Sequence, residues 1–526
     1  MQSLRAASIR CIEGRTAIKL LGIDIGTGGT RAVLIDEVGH LVGSADSPHK
    51  PFQSPNLGWA EQDATDWWSA CRLAIRKLLE QTGLPPEAVS GVALTGQMHG
   101  TVLLNEKDEV LRPAIIWCDQ RSSAECNELN ELIGADRLIQ LTCNPALTNF
   151  TLTKLLWLRK HEPRIWREVR HLLLPKDYVR FKLTGTRAID VAEASGTLML
   201  DVAQRRWSQA VLDACELDER LLPALYESPD VVGSITAAAA AETGLRPGTP
   251  VIAGAGDQAA GAVGMGIVRP GAVSATIGTS GVVFAASARP ALDPRGRLHT
   301  FCHAVPGVWH VMGVTQAAGL SLRWFRDNFG PFACEGRDPY DCLCEEAASV
   351  PPGAEGALWA PYLMGERTPH LDPNARAALI GLTASHGRGH IVRAILEGVA
   401  FSLCDSLTIF HEMNVPVRSI RLGGGGARSK LWRQIQADVY GQTVETVEAE
   451  EGAAYGAAIL AGVGVGLWPD VDTACSSVVR VADSTAPDPA SQQIMRTQYS
   501  KFRACYPALK AIESGAGVEH CEMVKL

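Results

Sequence analysis

The chain has 526 residues, more than one ordinary hydrophobic core accommodates, so about two to four domains are expected. Hydrophobic residues make up 46% and charged residues 20%, the balance of a soluble globular enzyme, and a net charge of −8 with no basic stripe argues against a nucleic-acid partner. Apolar stretches are broken by Gly, Asp or Arg within about 10–12 residues, too short for a membrane span, and the Cys residues form no C-x-x-C pair, which points to reduced, cytoplasmic thiols rather than a zinc site or disulfide framework.

Residues 1–17 carry Arg5, Arg10 and Arg15 without a continuous apolar run, and read as a loose extension rather than an organellar presequence. The folded pattern begins with AIKLLGIDIGTGGTRAVLID: a strand, a Gly-rich turn at 25–29 and a second strand, with a third expected after a turn at Glu37–His40. DWWSACRLAIRKLLEQTG (66–83) predicts a helix capped by Asp63 or Thr65 and stopped by Gly83. The strand GVALTG (91–96) runs into Gln97, Met98 and His99, placing polar tips at a strand end, where they can enter a cleft. Strands alternating with helices imply an α/β architecture with partly parallel sheets.

Residues 250–264, PVIAGAGDQAAGAVG, contain the spacing G-x-G-x-x-A at Gly254, Gly256 and Ala259, a permissive dinucleotide fingerprint. A dinucleotide fold needs an acid about 20 residues further on, and no Asp or Glu occurs from Gln258 to Leu292. That reading fails, and no G-x-x-x-x-G-K-[ST] loop replaces it. What remains is one carboxylate, Asp257, on a bare backbone.

The turn IGTGG at 25–29 returns as IGTSG at 277–281, near the midpoint and again between apolar strands. This predicts an internal duplication into two similar lobes around a cleft. Only the first copy has an acid before the turn, Asp24; the second has Thr276. Small residues free backbone N–H groups to converge on phosphate, and Thr27 and Thr279 add hydroxyls. A third Gly-rich turn, SIRLGGGGARSKLW (419–432), suits an adenine or ribose against Gly424, Gly425 and Gly426. The small residues of EEGAAYGAAILAG (451–463) predict a helix packed closely behind that turn.

With GQMHG, LLPKDY, GAGDQAAGAVG, IGTSGVVF, PYLMGERTPH and LGGGGARSKLWRQIQAD in place, the chain resembles the FGGY carbohydrate kinases, a branch of the actin/sugar-kinase/heat-shock ATPase superfamily. GQMHG, LLPKDY and GERTPH are more typical of its xylulose kinases than of its glycerol, gluconate or ribulose kinases. The resemblance covers about Lys19 to the YPALK at 506–510. It implies two duplicated ribonuclease H-like lobes: a sugar- and phosphate-binding lobe at 18–265 and an ATP-binding lobe at 266–515, with an extension at 1–17 and a tail at 516–526.

The resemblance further implies ATP-dependent phosphorylation of D-xylulose to D-xylulose 5-phosphate, with Mg²⁺ and in the cytoplasm. Asp257 would be the base, and Asp24 would serve the metal and phosphates. Met98, His99, Asp257 and Gln258 would surround the sugar, while Thr27, Thr279, Gly319 and Gly424–Gly426 would lie along ATP. The bare backbone around Asp257 then reads as clearance for sugar and γ-phosphate. Family members are often homodimers. Gln258 stands where xylulose kinases commonly have Asn and glycerol kinases have Gln, so a kinase for another ketose or polyol is the competing expectation. A non-catalytic, chaperone-like ATPase is a second.

Overall fold

The computed structural model of the chain describes residues 18–330, 334, 336–449 and 452–514; the expected extension and tail lie outside the described residues. Two large sheets account for most strands. The first contains β1 (Lys19–Ile25), β2 (Gly29–Asp36), β3 (Leu41–Pro48), β4 (Val89–Gly96), β5 (Val231–Ser234) and β6 (Pro250–Gly256), in the order β5-β6-β4-β1-β2-β3. The second contains β7 (Ala272–Ile277), β8 (Gly281–Ser287), β9 (His299–Cys302), β10 (Trp309–Thr315), β11 (Ser419–Gly424), β12 (Val444–Val447) and β13 (Val481–Thr485), in the order β9-β10-β8-β7-β11-β12-β13.

The two sheets share one plan. In each, the opening strand pairs antiparallel with the next across the Gly-Thr turn, and parallel with a later strand on its other edge. Ile25 pairs with Gly96 at the end of β4, and Ile277 pairs with Gly424 at the end of β11. The duplication expected from IGTGG and IGTSG is therefore a repeat of topology. It also makes Gly96–His99 and the glycine run after Leu422 structural equivalents, each flanking the Gly-Thr turn of its own lobe.

Local chemistry sets the element ends. The helix after the first hairpin, α1, spans Ala64–Thr82; the Asp63 carboxylate accepts from Thr65 N, and Gly83 closes it at φ 63°. Asp63 is thus the cap, and Thr65 is inside the helix. Trp67 and Ile75 are completely buried on its inner face, each contributing about 1.5–3 kcal/mol by burial.

Two helices join the lobes. α2 (Asp257–Gly264) follows β6 directly, and α3 spans Gly452–Gly464. The small residues of α3 serve a different partner from the one expected. A Cβ on Gly456 would lie 1.8 Å from the Ala260 carbonyl oxygen, and one on Gly22 of β1 would lie 1.9 Å from that of Ala454. α3 is therefore pressed against α2 and the first sheet, across the molecule from its own lobe, and only minimal side chains permit that approach. No described helix is long and apolar enough to cross a membrane.

Candidate active site

Asp24 sits near the end of β1 and Asp257 at the first position of α2, so both carboxylates point where their strands open. Together with Gln258, Gly424 and Gly425 they line a cavity of about 790 Å³ between the lobes. Thr279, Gly319, Gly425 and Gly426 line a second cavity of about 350 Å³ with Tyr340 and Trp432. Gly425 and Arg428 line both, so the two spaces adjoin at the glycine run.

The electrostatics differ from those of surface acids. Asp24 is half-buried, with its Oδ1 enclosed and without a hydrogen-bond partner among the described residues. Burial, and then the charge of Asp257, pushes its carboxyl up to about 7, while Arg31 pulls it down. Burial also pushes Asp257 up to about 6, against hydrogen bonds from the backbone and side chain of Gln258. A helix N-terminus ordinarily favours a carboxylate; here desolvation outweighs it. Among the described residues no cluster of three or more His, Cys, Asp or Glu could cage a metal. Mg²⁺ keeps its waters and takes one or two carboxylates plus substrate phosphates, and Asp24 and Asp257 present carboxylates of that kind to the larger cavity. Asp24, with its unsatisfied oxygen, fits such a role.

The first Gly-Thr turn is braced from three sides. Gln62 Nε2 donates to the Thr27 carbonyl (2.8 Å), Trp117 Nε1 donates to Thr27 Oγ1 (2.9 Å), and Thr27 Oγ1 donates to Gln97 Oε1 (3.4 Å). Gln97 Nε2 in turn donates to Gln62 Oε1 at 2.9 Å. Gln97 is buried and holds the turn, so the polar tip expected to enter the cleft at that position is spent internally. Gln62 and Trp117 carried no local signal, because nothing near them in sequence marks a turn 35 to 90 residues away.

Thr27, Met98 and His99 line neither cavity. Met98 is buried against Gly256, where a Cβ would meet its Cγ and Sδ at 2.9 and 3.0 Å. His99 adopts φ 69°. Its carbonyl is held by Thr151 Oγ1 (3.1 Å) and Lys154 Nζ (3.0 Å), and its ring by Phe150 (5.1 Å, edge-on). Its Nδ1 lies 2.6 Å from the Gly196 carbonyl, which can only accept, so Nδ1 carries the proton. Burial, and then the Lys154 ammonium, pushes the imidazole down to about 3. His99 is a neutral ring whose Nε2 is an acceptor without a partner among the described residues.

The glycines around Asp257 are mostly explained by the protein's own backbone. A Cβ at Gly254 would strike the Leu94 carbonyl at 1.8 Å, and one at Gly264 the Gly452 carbonyl at 2.6 Å. Only Gly261 meets nothing within 4 Å, and it faces the larger cavity. Clearance for ligands therefore accounts for one position of the stretch and close packing for the rest. The same holds in the second lobe: a Cβ on Gly319 would lie 2.4 Å from the Gly278 carbonyl, and one on Gly426 2.6 Å from Ile277 Cβ.

LLPKDY contributes a buried charge cluster behind β6. Lys176 Nζ bonds Asp177 Oδ1 and Asp190 Oδ2, both at 2.6 Å; Arg180 reaches Asp177 at 2.9 Å and also donates to the Ala253 carbonyl of β6. It anchors the strand that delivers Asp257.

The family models agree with this architecture. The model for the N-terminal domain of the FGGY family of carbohydrate kinases matches residues 19–264, and that for the C-terminal domain matches 273–465. The chain belongs to the FGGY family of carbohydrate kinases. It is 36% identical over 495 residues to a xylulose kinase of Bacillus subtilis, covering 94% of this chain and 98% of the relative. Against a xylulose kinase of Escherichia coli the identity is 40% over 444 residues, covering 84% and 89%. The solved xylulose kinase of Rhodospirillum rubrum superposes with a TM-score of 0.87 at 32% identity, over 94% of this chain and 99% of that one.

Proposed function

We propose that the protein transfers the γ-phosphoryl group of ATP to the 5-hydroxyl of D-xylulose, giving D-xylulose 5-phosphate. One observation carries the reading. A half-buried carboxylate, Asp257, faces a cavity that continues at Gly425 into a second one lined by the other lobe's Gly-Thr turn. The names of the similar proteins supply the choice of ketose.

Phosphoryl transfer needs positioning and charge neutralisation more than covalent help. In this reading the smaller cavity takes the adenosine, with Trp432 and Tyr340 beside Gly425 and Gly426. The turns at Thr27 and Thr279 hold the phosphates from opposite lobes. Asp257 accepts a hydrogen bond from the sugar hydroxyl and takes its proton as the new O–P bond forms, help worth about 10²–10⁴-fold. Asp24 would hold Mg²⁺ through its waters; the ion supplies neutralisation of phosphate charge. Met98 would bound the carbon face of the sugar, and His99 Nε2 and Gln258 would bind hydroxyls.

The lobes in this account are 18–265 and 266–515, working in the cytoplasm and assembling as a homodimer. The test is ADP release with xylulose, ribulose, glycerol, gluconate and pentitols. Xylulose should give the highest kcat/KM; a higher value for another polyol would move the substrate, with Gln258 the first residue to examine. ATP hydrolysis unaffected by any sugar would remove the kinase reading.

A further inference from the structure

Arg367 belongs to GERTPH and has no place in the chemistry described so far. Its side chain is half-buried and has neither a hydrogen-bond nor an ion-pair partner among the described residues. The neighbouring Glu366 does not pair with it. The Glu366 carboxylate is already bonded by Thr315 Oγ1 (2.5 Å), Gln316 N (3.0 Å), the Arg367 backbone N (2.8 Å) and Ser402 Oγ (3.4 Å). A guanidinium carries five donors, and a sheltered one without acceptors is costly unless a ligand brings oxygens.

Its place is fixed by its neighbours. Thr368 N donates to the Val314 carbonyl of β10, and Thr368 Oγ1 donates to the Arg297 carbonyl at 2.8 Å, two residues before His299. The His299 ring stacks on Phe301 at 5.7 Å, and Phe301 lies 6.2 Å from the His99 ring of the opposite lobe. Arg367 thus stands over the wall where the second lobe meets His99. Its charge depresses both His99 and His299. It stands on the same side of the cleft as His99.

The partner can be read from the two groups that this wall brings to the same region of the cleft. His99 offers a lone pair at Nε2, and Arg367 offers N–H donors. An anion would satisfy the guanidinium but meet the imidazole lone pair with repulsion. A hydroxyl satisfies both, donating to Nε2 and accepting from the guanidinium. We propose that Arg367 is a specificity-determining residue that binds, together with His99, a non-reacting hydroxyl of the acceptor sugar. Because the two residues come from different lobes, the sugar itself ties the lobes together. This inference rests on the assignment of His99 to the sugar site.

The test compares wild type with Arg367→Met and Arg367→Lys for sugar KM, kcat, ADP affinity and melting temperature. For Arg367→Met, sugar KM should rise about 10- to 100-fold, as for a lost charged hydrogen bond, with ADP affinity and melting temperature held. Arg367→Lys, which keeps the charge and provides a second folded variant, should recover part of the loss. Among singly deoxygenated ketoses, wild type should discriminate strongly against one position, and Arg367→Met should lose that discrimination. A sugar KM within twofold of wild type in both variants overturns the proposal. So does a fall in kcat at unchanged sugar KM, which would move the guanidinium to the transferring phosphoryl group. If wild type prefers another polyol, the xylulose reading fails, yet the same comparison on that polyol still decides the role of Arg367.

Discussion

Trp117 donates its indole N–H to the hydroxyl of Thr27 at 2.9 Å, although 44% of its surface is exposed. Large exposed aromatics are rarely placed so that their one polar atom grips a turn 90 residues away in sequence. The bond fixes the Thr27 hydroxyl and directs its hydrogen to Gln97. Trp117→Phe removes the donor and keeps most of the ring. We expect KM for ATP to rise about 3- to 10-fold, the size of one neutral hydrogen bond, with the melting temperature nearly unchanged. Steady-state kinetics with ATP varied would show it; an unchanged KM would make Trp117 a surface residue only.

The two carboxylates predict distinct pH effects. Asp257, raised to about 6, must be ionised to act as a base, so kcat/KM for the sugar should fall as pH drops through about 6. Asp24, raised to about 7, holds a proton at pH 6 that a cation must expel. The Mg²⁺ concentration needed for half-maximal rate should therefore be higher at pH 6 than at pH 8. Equal requirements at both would separate Asp24 from the metal.

Stability carries the opposite signature. A folded-state pKa above the ordinary carboxylate value means that the native protein binds the proton more tightly, so these groups lower stability as pH rises from about 4 towards 6 and 7. Asp257→Asn should be more stable than wild type at pH 8, on the order of 1 kcal/mol after allowance for solvent screening. At pH 4 the difference should vanish. A destabilised Asn variant at pH 8 would contradict the cost of burial assigned to this carboxylate.

Gly456 tests the interlobe contact. Its missing Cβ would lie 1.8 Å from the Ala260 carbonyl oxygen, backbone that cannot turn aside. Gly456→Ala should cost about 1–3 kcal/mol or more through overpacking. It should also lower kcat, because α2 carries Asp257. Full activity and an unchanged melting temperature would mean that the helices slide freely.

Much of this was legible in the sequence where the cause is local. The Gly-Thr turns declare themselves because a tight strand–turn–strand needs small residues at fixed offsets, and Asp257 stands out as the one acid in its stretch. The end of α1 at Gly83 is equally local. Gln97, Lys176 and Arg367 were not legible in their structural parts. Gln97 braces a turn 71 residues back, Lys176 builds a cluster with Asp190, and Arg367 is placed by Thr368, which bonds the Arg297 carbonyl 71 residues back. The glycines of 250–264 misled for a related reason: bare backbone looks the same whether a ligand or another helix approaches it.

If Asp257 is the base of a sugar kinase, sugar-dependent ADP release by Asp257→Ala, measured beside its affinity for ADP, shows it most directly. Sugar phosphorylation should fall by at least about 10²-fold with nucleotide affinity close to wild type. Phosphorylation within a few-fold of wild type would contradict that role.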